Sequence, residues 1–444
     1  MGILIQVLQF ILSLSILILI HELGHFMFAR IFKTKVDKFY LFFDIGFSLF
    51  KYKSKKSQTE YGLGWLPVGG YCKIAGMIDE SMDTEHLKSE PQTWEFRSKS
   101  ALQRLLIMLG GVIFNAVLAF FIYVGILTFC GNSYIANKDL RYGIACDSIA
   151  LEMGFQNGDK ILAVNDKPVI NITDALTRMI LYREMNITLQ RGDETVNISP
   201  DYYKYISYMT KRKIIEAMPP YIVKNIPDSS QNKLSGLLPE DEVVGINGIR
   251  KNFLEIRKTV SENKNETITA NVIRKGQSLE IPLQVNENGQ IVIELEDEMD
   301  KLFPVTKEQY SVFAAFPAAL IKAKKRICDQ LYEIRLIFTP KTKTYKQVGS
   351  FISISKLYSP KWDWLHFWEI TAFLSIMLAV LNVLPIPALD GGHVLFILFE
   401  IVTRRKPSDK FLTYAQVTGL IILVTLMAFA IGNDIMRHIF NVSQ

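Results

Sequence analysis

Ile18-Leu19-Ile20-His21-Glu22-Leu23-Gly24-His25-Phe26 joins an apolar run to three ionisable side chains. Residues 1–20 carry no charged side chain, and at about 1.5 Å rise per residue such a stretch covers ~30 Å, a hydrocarbon core. Gln6 and Gln9 interrupt the early apolar run and no basic residue precedes His21, so residues 1–30 are expected to form a retained membrane span and not a cleaved signal. Side chains at i and i+4 share one helix face, so both imidazoles reach one metal ion. The glutamate between them can take a proton from water on that ion. Zinc suits the pattern, because it accepts nitrogen and oxygen ligands and acidifies its water. A plainer reading is a helix end with two interfacial histidines. Desolvating three ionisable groups beside a charge-free span without a purpose is expensive, which favours a site.

Three further apolar blocks follow, over 105–130, 366–400 and 411–433. The second of these holds Asn382, Pro385 and Pro387 and runs into Asp390-Gly391-Gly392. Prolines at membrane depth free backbone groups that protein or a water-filled cavity must satisfy. A catalytic zinc takes three protein ligands and keeps one position open. Asp390 is the candidate third ligand, expected on the same side of the membrane as His21 and His25, with Gly391 and Gly392 turning the backbone and admitting close helix approach. It also suits an N-cap for a helix over 394–400, and His393 is a rival ligand. Asp37 and Asp44, in the adjoining loop, have no special context.

Of the 444 residues, 49% are hydrophobic and 21% charged, and mean hydropathy is above zero. That combination suggests apolar blocks beside ordinary polar domains, in a lipid bilayer. The net charge of +6 is modest, and with no long basic run or nucleic-acid motif, nucleic acid is not an expected partner. Cys72, Cys130, Cys146 and Cys328 lack CxxC spacing. A Cys146–Cys328 bridge and four unpaired thiols both remain open. Basic residues cluster at Arg30, Lys33, Lys35, Lys38, Arg97, Lys99 and Arg104, and again at Arg404, Arg405, Lys406 and Lys410. These place 31–104 and the loop before the fourth span in the cytoplasm, with both termini and residues 140–365 outside.

The middle segment reads as β-rich and repeated. The run from Gly154 to Asp166 is a turn, a buried strand and a second turn, and the run from Gly236 to Gly248 matches its hydrophobic places, Asp241 standing where Asp159 stands. Two copies of one small domain are expected, over 138–202 and 219–286, and the pattern resembles PDZ domains of the bacterial protease type. Glu240 replaces Gly158, which strains that turn if it needs positive φ and would alter or close a peptide groove. Residues 304–336 read as an amphipathic helix, on the membrane surface or packed on the second repeat, within a linker over 304–365.

Residues 21–25 together with Asn382-Val383-Leu384-Pro385-Ile386-Pro387-Ala388-Leu389-Asp390-Gly391-Gly392 resemble the paired signatures of site-2 proteases. Tandem PDZ-like repeats after the second of four spans resemble the RseP type, the PDZ-containing regulators of sigma-E. The resemblance covers nearly the whole chain. It implies that His21, His25 and Asp390 bind Zn2+, that Glu22 is the general base and that Asn382 positions substrate. Gly111 and Asn115 resemble a small-residue motif of the second span. Residues 61–77, with Gly69 and Gly70, resemble a membrane-dipping β-hairpin that guides substrate, by strand addition if not merely as a sealing loop. The implied substrates are single-pass membrane proteins, such as anti-sigma factors or signal-peptide remnants, cut after an earlier outer cleavage. The PDZ-like pair would exclude bulky outer domains and bind peptide ligands. The expected architecture is a polytopic α-helical membrane protein, four transmembrane helices with two inserted PDZ-like α+β domains, in a bacterial inner membrane with its site near the cytoplasmic side. Two rivals stay open: a non-catalytic membrane PDZ scaffold, and an HtpX-like protease with a glutamate third ligand cutting at the cytoplasmic surface.

Overall fold

The computed structural model describes residues 2–67, 69–77 and 90–438, and the chain divides into two units. One is built from Met1–Asn132, Gln309–Phe338 and Tyr345–Gln444, the other from Ser133–Glu308 and Thr339–Thr344. The first unit begins with α1 (Gly2–Ile31), unbroken through His21–His25. Then come β1 (Val36–Leu41), β2 (Phe43–Lys53), β3 (Glu60–Leu66) and β4 (Tyr71–Ile74) in one sheet of order β2-β3-β1-β4. The hairpin expected over 61–77 does not form, because β1 lies between β3 and β4, parallel to one and antiparallel to the other. Of the glycines in that stretch, Gly62 serves that insertion, and Gly64 admits the neighbouring strand β2. A Cβ on Gly62 would lie 2.2 Å from the Tyr40 ring, and one on Gly64 would lie 2.3 Å from the Phe43 backbone. The hairpin that does form is β2–β3. After it, α2 (Ala101–Phe129) opens with a capping box between Ser100 and Gln103.

The second unit begins with β5 (Asn132–Tyr134). The first repeat runs β6 (Ile144–Cys146), α3 (Ser148–Glu152), β7 (Lys160–Val164), β8 (Lys167–Pro168), α4 (Ile172–Leu181), β9 (Ile187–Arg191) and β10 (Glu194–Ile198), followed by α5 (Tyr202–Met209) and β11 (Ile215–Ala217). The second runs β12 (Tyr221–Asn225), β13 (Glu242–Ile246), β14 (Ile249–Arg250), α6 (Phe253–Glu262), β15 (Thr267–Arg274) and β16 (Gln277–Gln284), followed by β17 (Glu294–Leu295), α7 (Met299–Leu302) and β18 (Thr306–Glu308). The repeats match in detail. Arg191 forks onto Asp159 at 2.9 Å and donates to the Gly154 carbonyl, while Arg274 forks onto Asp241 at 2.7 Å and donates to the Gly236 carbonyl. Each buried aspartate is thus paired by a planar guanidinium. Glu240 takes φ +70° where Gly158 takes +93°, so the substitution does sit in a left-handed turn. Each repeat also extends past the expected limits of 202 and 286, because β11 pairs with β6 and β17 pairs with β12. Unpaired, β6 and β12 would leave bare backbone at a sheet edge.

The chain returns to the first unit as α8 (Val312–Ile337), then α9 (Phe351–Ser355), α10 (Trp364–Val383), α11 (Asp390–Thr403) and α12 (Asp409–His438). The face of α8 carrying Ala315, Ala319 and Ala323 is buried against Tyr123, Ile126 and Leu127 of α2 and Ile376 of α10. Small residues at i, i+4 and i+8 allow that close approach, so this face packs on other helices of its own unit and does not lie on a membrane surface. Among the described residues, four helices are long and apolar enough to cross a membrane: Gly2–Ile31, Ala101–Phe129, Trp364–Val383 and Lys410–Met436. With the β-rich second unit inserted between them, they make an integral membrane protein. All four cysteines are free thiols.

Candidate metal centre

The site is built where α1 crosses α2. A Cβ on Gly24 would lie 2.2 Å from the Gly110 carbonyl oxygen, and one on Gly110 would lie 2.5 Å from that of Gly24. Only two bare backbones fit so closely, and the crossing brings His21 and His25 onto the α2 surface. Gly111 completes the seat, since a Cβ there would meet the His21 ring at 2.4 Å. His25 Nδ1 faces the Ile107 carbonyl at 2.9 Å.

The third donor comes from the break between α10 and α11. Pro385 and Pro387 cannot donate, and Ala388 carries φ +76°, so the reversal is made at Ala388 and not at the glycines expected to turn it. The Ala388 N–H donates to Gln416 Oε1 of α12 at 3.3 Å, one of the groups that keep the interrupted backbone satisfied. Gly391 and Gly392 are helical, and their role is close approach: Cβ atoms there would lie 2.1 Å from the Leu384 oxygen and 2.7 Å from Pro387 Cα. Leu389 occupies the N-cap position and Asp390 is the first helical residue, so Asp390 is not the expected cap. Its carboxylate points into the site.

His21 Nε2 lies 3.1 Å from Asp390 Oδ2, His25 Nε2 lies 3.3 Å from the same oxygen, and the two Nε2 atoms are 3.3 Å apart. Ligands held at about 2.0–2.1 Å on tetrahedral corners stand ~3.3 Å from one another. These three atoms therefore have the spacing of three corners around one zinc ion. Among the described residues they form the one cluster of metal-capable side chains. Three acceptor atoms this close repel each other unless a cation or proton lies between them, so the donor set fits zinc on chemistry as well as distance.

A cavity of about 450 Å³ opens beside the triad, lined by His21, Glu22, His25, Asn382 and Asp390 and by residues 70–74. Glu22 and Cys72 both line it. Asn382 Nδ2 lies 3.3 Å from His21 Nε2. Gly70 lines the cavity where a Cβ would meet Ile18 at 2.6 Å, whereas Gly69 is set against the Phe43 ring and is not among the lining residues. His393 lines the wall but its ring nitrogens are not among the clustered donors. Tyr71 donates to Asp44 Oδ1 at 3.0 Å, and burial, then that carboxylate, raise its pKa. Burial also pushes the Cys72 thiol up, with the Glu22 charge adding to it. Two contacts left no mark in the sequence reading. Arg104 Nη2 donates to Glu400 Oε1 at 2.6 Å, tying α2 to the far end of α11, and Asn115 reaches His21 Nδ1 at 3.4 Å.

The sequence model of Peptidase family M50 matches residues 9–426. A Campylobacter jejuni protein classed by name as a zinc metalloprotease is 29% identical over 441 residues, covering 98% of this chain and 94% of its own. One from Borreliella burgdorferi, of the same description, is 26% identical over 440 residues, with 97% and 99% covered. The regulator of sigma-E protease RseP of Escherichia coli is 27% identical over 458 residues, with 97% and 98% covered.

Proposed function

The chain belongs to peptidase family M50 and is a zinc metalloendopeptidase, and from that premise we propose that it cleaves single-pass membrane proteins within or near their transmembrane segments. The carrying observation is the convergence of His21, His25 and Asp390 at 3.1–3.3 Å, with two of the donors on a helix apolar enough to span a bilayer. In this reading those three residues hold the zinc. Zinc bound there supplies Lewis acidity, polarising a carbonyl and lowering the pKa of water. Glu22 takes the proton from the attacking water and later returns it to the leaving nitrogen. Asn382 donates its amide toward the substrate carbonyl.

A transmembrane helix hides its amides in internal hydrogen bonds, so the scissile segment must be extended before attack. Strand β4 is an edge strand of its sheet, and its residues line the cavity. An unwound substrate segment adds to that edge with Gly70 at its start. The basic residues beside the spans favour a site near the cytoplasmic face and the two repeats outside. The repeats act as PDZ-like domains that bind peptides and bar substrates with bulky outer parts, so an earlier outer cut precedes this one. Anti-sigma factors and signal-peptide remnants in a bacterial inner membrane are the substrate classes that suit this, in line with the name of the Escherichia coli relative.

The test is Glu22→Gln in purified protein reconstituted with a single-span substrate. Cleavage is lost while zinc content, by elemental analysis, stays at the wild-type level. Full cleavage by that variant overturns the assignment.

A further inference from the structure

We infer that Asn115 is the positioning residue for His21: its side-chain carbonyl accepts the hydrogen on His21 Nδ1 and leaves Nε2 bare for the metal. This rests on the reading of His21, His25 and Asp390 as zinc ligands. Asn115 lies on α2 one turn after Gly111 and is fully buried. Its amide is 3.4 Å from His21 Nδ1, and among the described residues no other hydrogen-bonding group is recorded at that nitrogen. The opposite end of the amide, Oδ1 as placed, is buried without a partner.

The two ends of an amide exchange by a half-turn and are told apart by what they meet. The count of satisfied groups does not choose here, since either orientation leaves one end without a partner. The ligand set does choose. His25 Nδ1 faces the Ile107 carbonyl, which can only accept, so His25 carries its hydrogen there and its Nε2 is bare. His21 Nε2 must be bare as well if it is to share an ion with His25 Nε2 and Asp390 Oδ2. Its hydrogen then sits on Nδ1, and the group beside Nδ1 has to accept it. An NH2 end there would hold Nδ1 bare and put the hydrogen on Nε2, where the metal bond is needed. The oxygen end faces the ring.

The seat of Asn115 is itself fixed. Ser375 Oγ of α10 donates to the Asn115 backbone carbonyl at 2.7 Å, so the helix that carries Asn382 also holds the turn that carries Asn115. An anchored N–H on the far ring nitrogen sets both the tautomer and the orientation of a metal-binding imidazole.

The experiment uses the full chain in detergent, stripped of metal and titrated with zinc against a chelator of known affinity. Asn115→Leu keeps the bulk and removes the acceptor, and Asn115→Asp keeps an acceptor. Asn115→Leu binds zinc about 10–100-fold more weakly than wild type, and Asn115→Asp stays within about threefold of it or binds tighter. Metal-free thermal midpoints of the two variants match. In metal-free protein with 15N-labelled histidine, His21 shifts from the Nδ1–H form in wild type toward the Nε2–H form in Asn115→Leu. If the leucine variant does not fold, Asn115→Ala carries the same expectation. Wild-type affinity in Asn115→Leu, or equal weakening in Asn115→Asp, overturns the inference. A different result, zinc bound as tightly by His21→Ala as by wild type, brings down the ligand set itself and the inference with it.

Discussion

His21 Nε2 and Asp390 Oδ2 stand 3.1 Å apart, one from the first helix of the chain and one from the start of α11. Asp390→Asn keeps the shape and removes the charge that balances a dication. Zinc affinity should fall by more than about 100-fold, beyond what loss of an outer partner causes. Chelator competition on the purified variant measures it. Unchanged affinity would move the third ligand to a glutamate elsewhere and favour cutting at the membrane surface.

The α1–α2 crossing makes a prediction about two glycines of contrasting surroundings. Gly24→Ala drives a methyl to 2.2 Å from the Gly110 oxygen, and that oxygen belongs to a helix backbone that cannot swing aside. The helices must part, at about 1–3 kcal/mol, and His21 and His25 move off their seats. Gly125→Ala, on α2 with nothing within 4 Å of the new Cβ, should instead stabilise by up to ~1 kcal/mol. Thermal midpoints in detergent, with zinc content, separate the two.

Arg104 and Glu400 form a largely enclosed ion pair, with side-chain exposures of 8% and 19%. Removing one partner strands the other, so Glu400→Ala should destabilise by ~3 kcal/mol. Arg104→Met with Glu400→Leu should recover most of that loss. Because Glu400 lies on α11 with Asp390, the single variant should also bind zinc less tightly than the double variant.

Glu240 holds a left-handed φ of +70° that its counterpart glycine takes freely. Glu240→Gly should therefore stabilise the second repeat by about 1 kcal/mol, the relief of a side chain in that region. Slower cleavage within residues 219–296 by a nonspecific protease, with no change in the first repeat, is the expected readout.

Much of the site was legible before any coordinates. His21, Glu22 and His25 are local, and a helix of fixed pitch puts the two imidazoles on one face wherever it is placed. The repeat was legible because turn chemistry and buried-strand pattern recur, and Asp159 and Asp241 did prove equivalent, each under its own arginine. The arginines themselves were hidden, since nothing in sequence marks which distant cation closes on a buried carboxylate. The hairpin reading failed for a related reason. Glycines at 62 and 64 signal that something comes close, not what comes, and here it was Tyr40 of β1 against Gly62 and the Phe43 backbone of β2 against Gly64.

The sequence by itself determined the chemistry available: two imidazoles and a carboxylate at helical spacing, four apolar spans, and a second motif whose prolines had to break one of them. Only the tertiary structure decided that His21, His25 and Asp390 meet at ligand distance, that Ala388 and not a glycine makes the turn, and that Asn115 faces His21. Local pattern follows from backbone periodicity and residue type. Juxtaposition depends on which backbones can approach, and that was settled where Gly24 meets Gly110 and where Gly391 and Gly392 meet the broken segment before them.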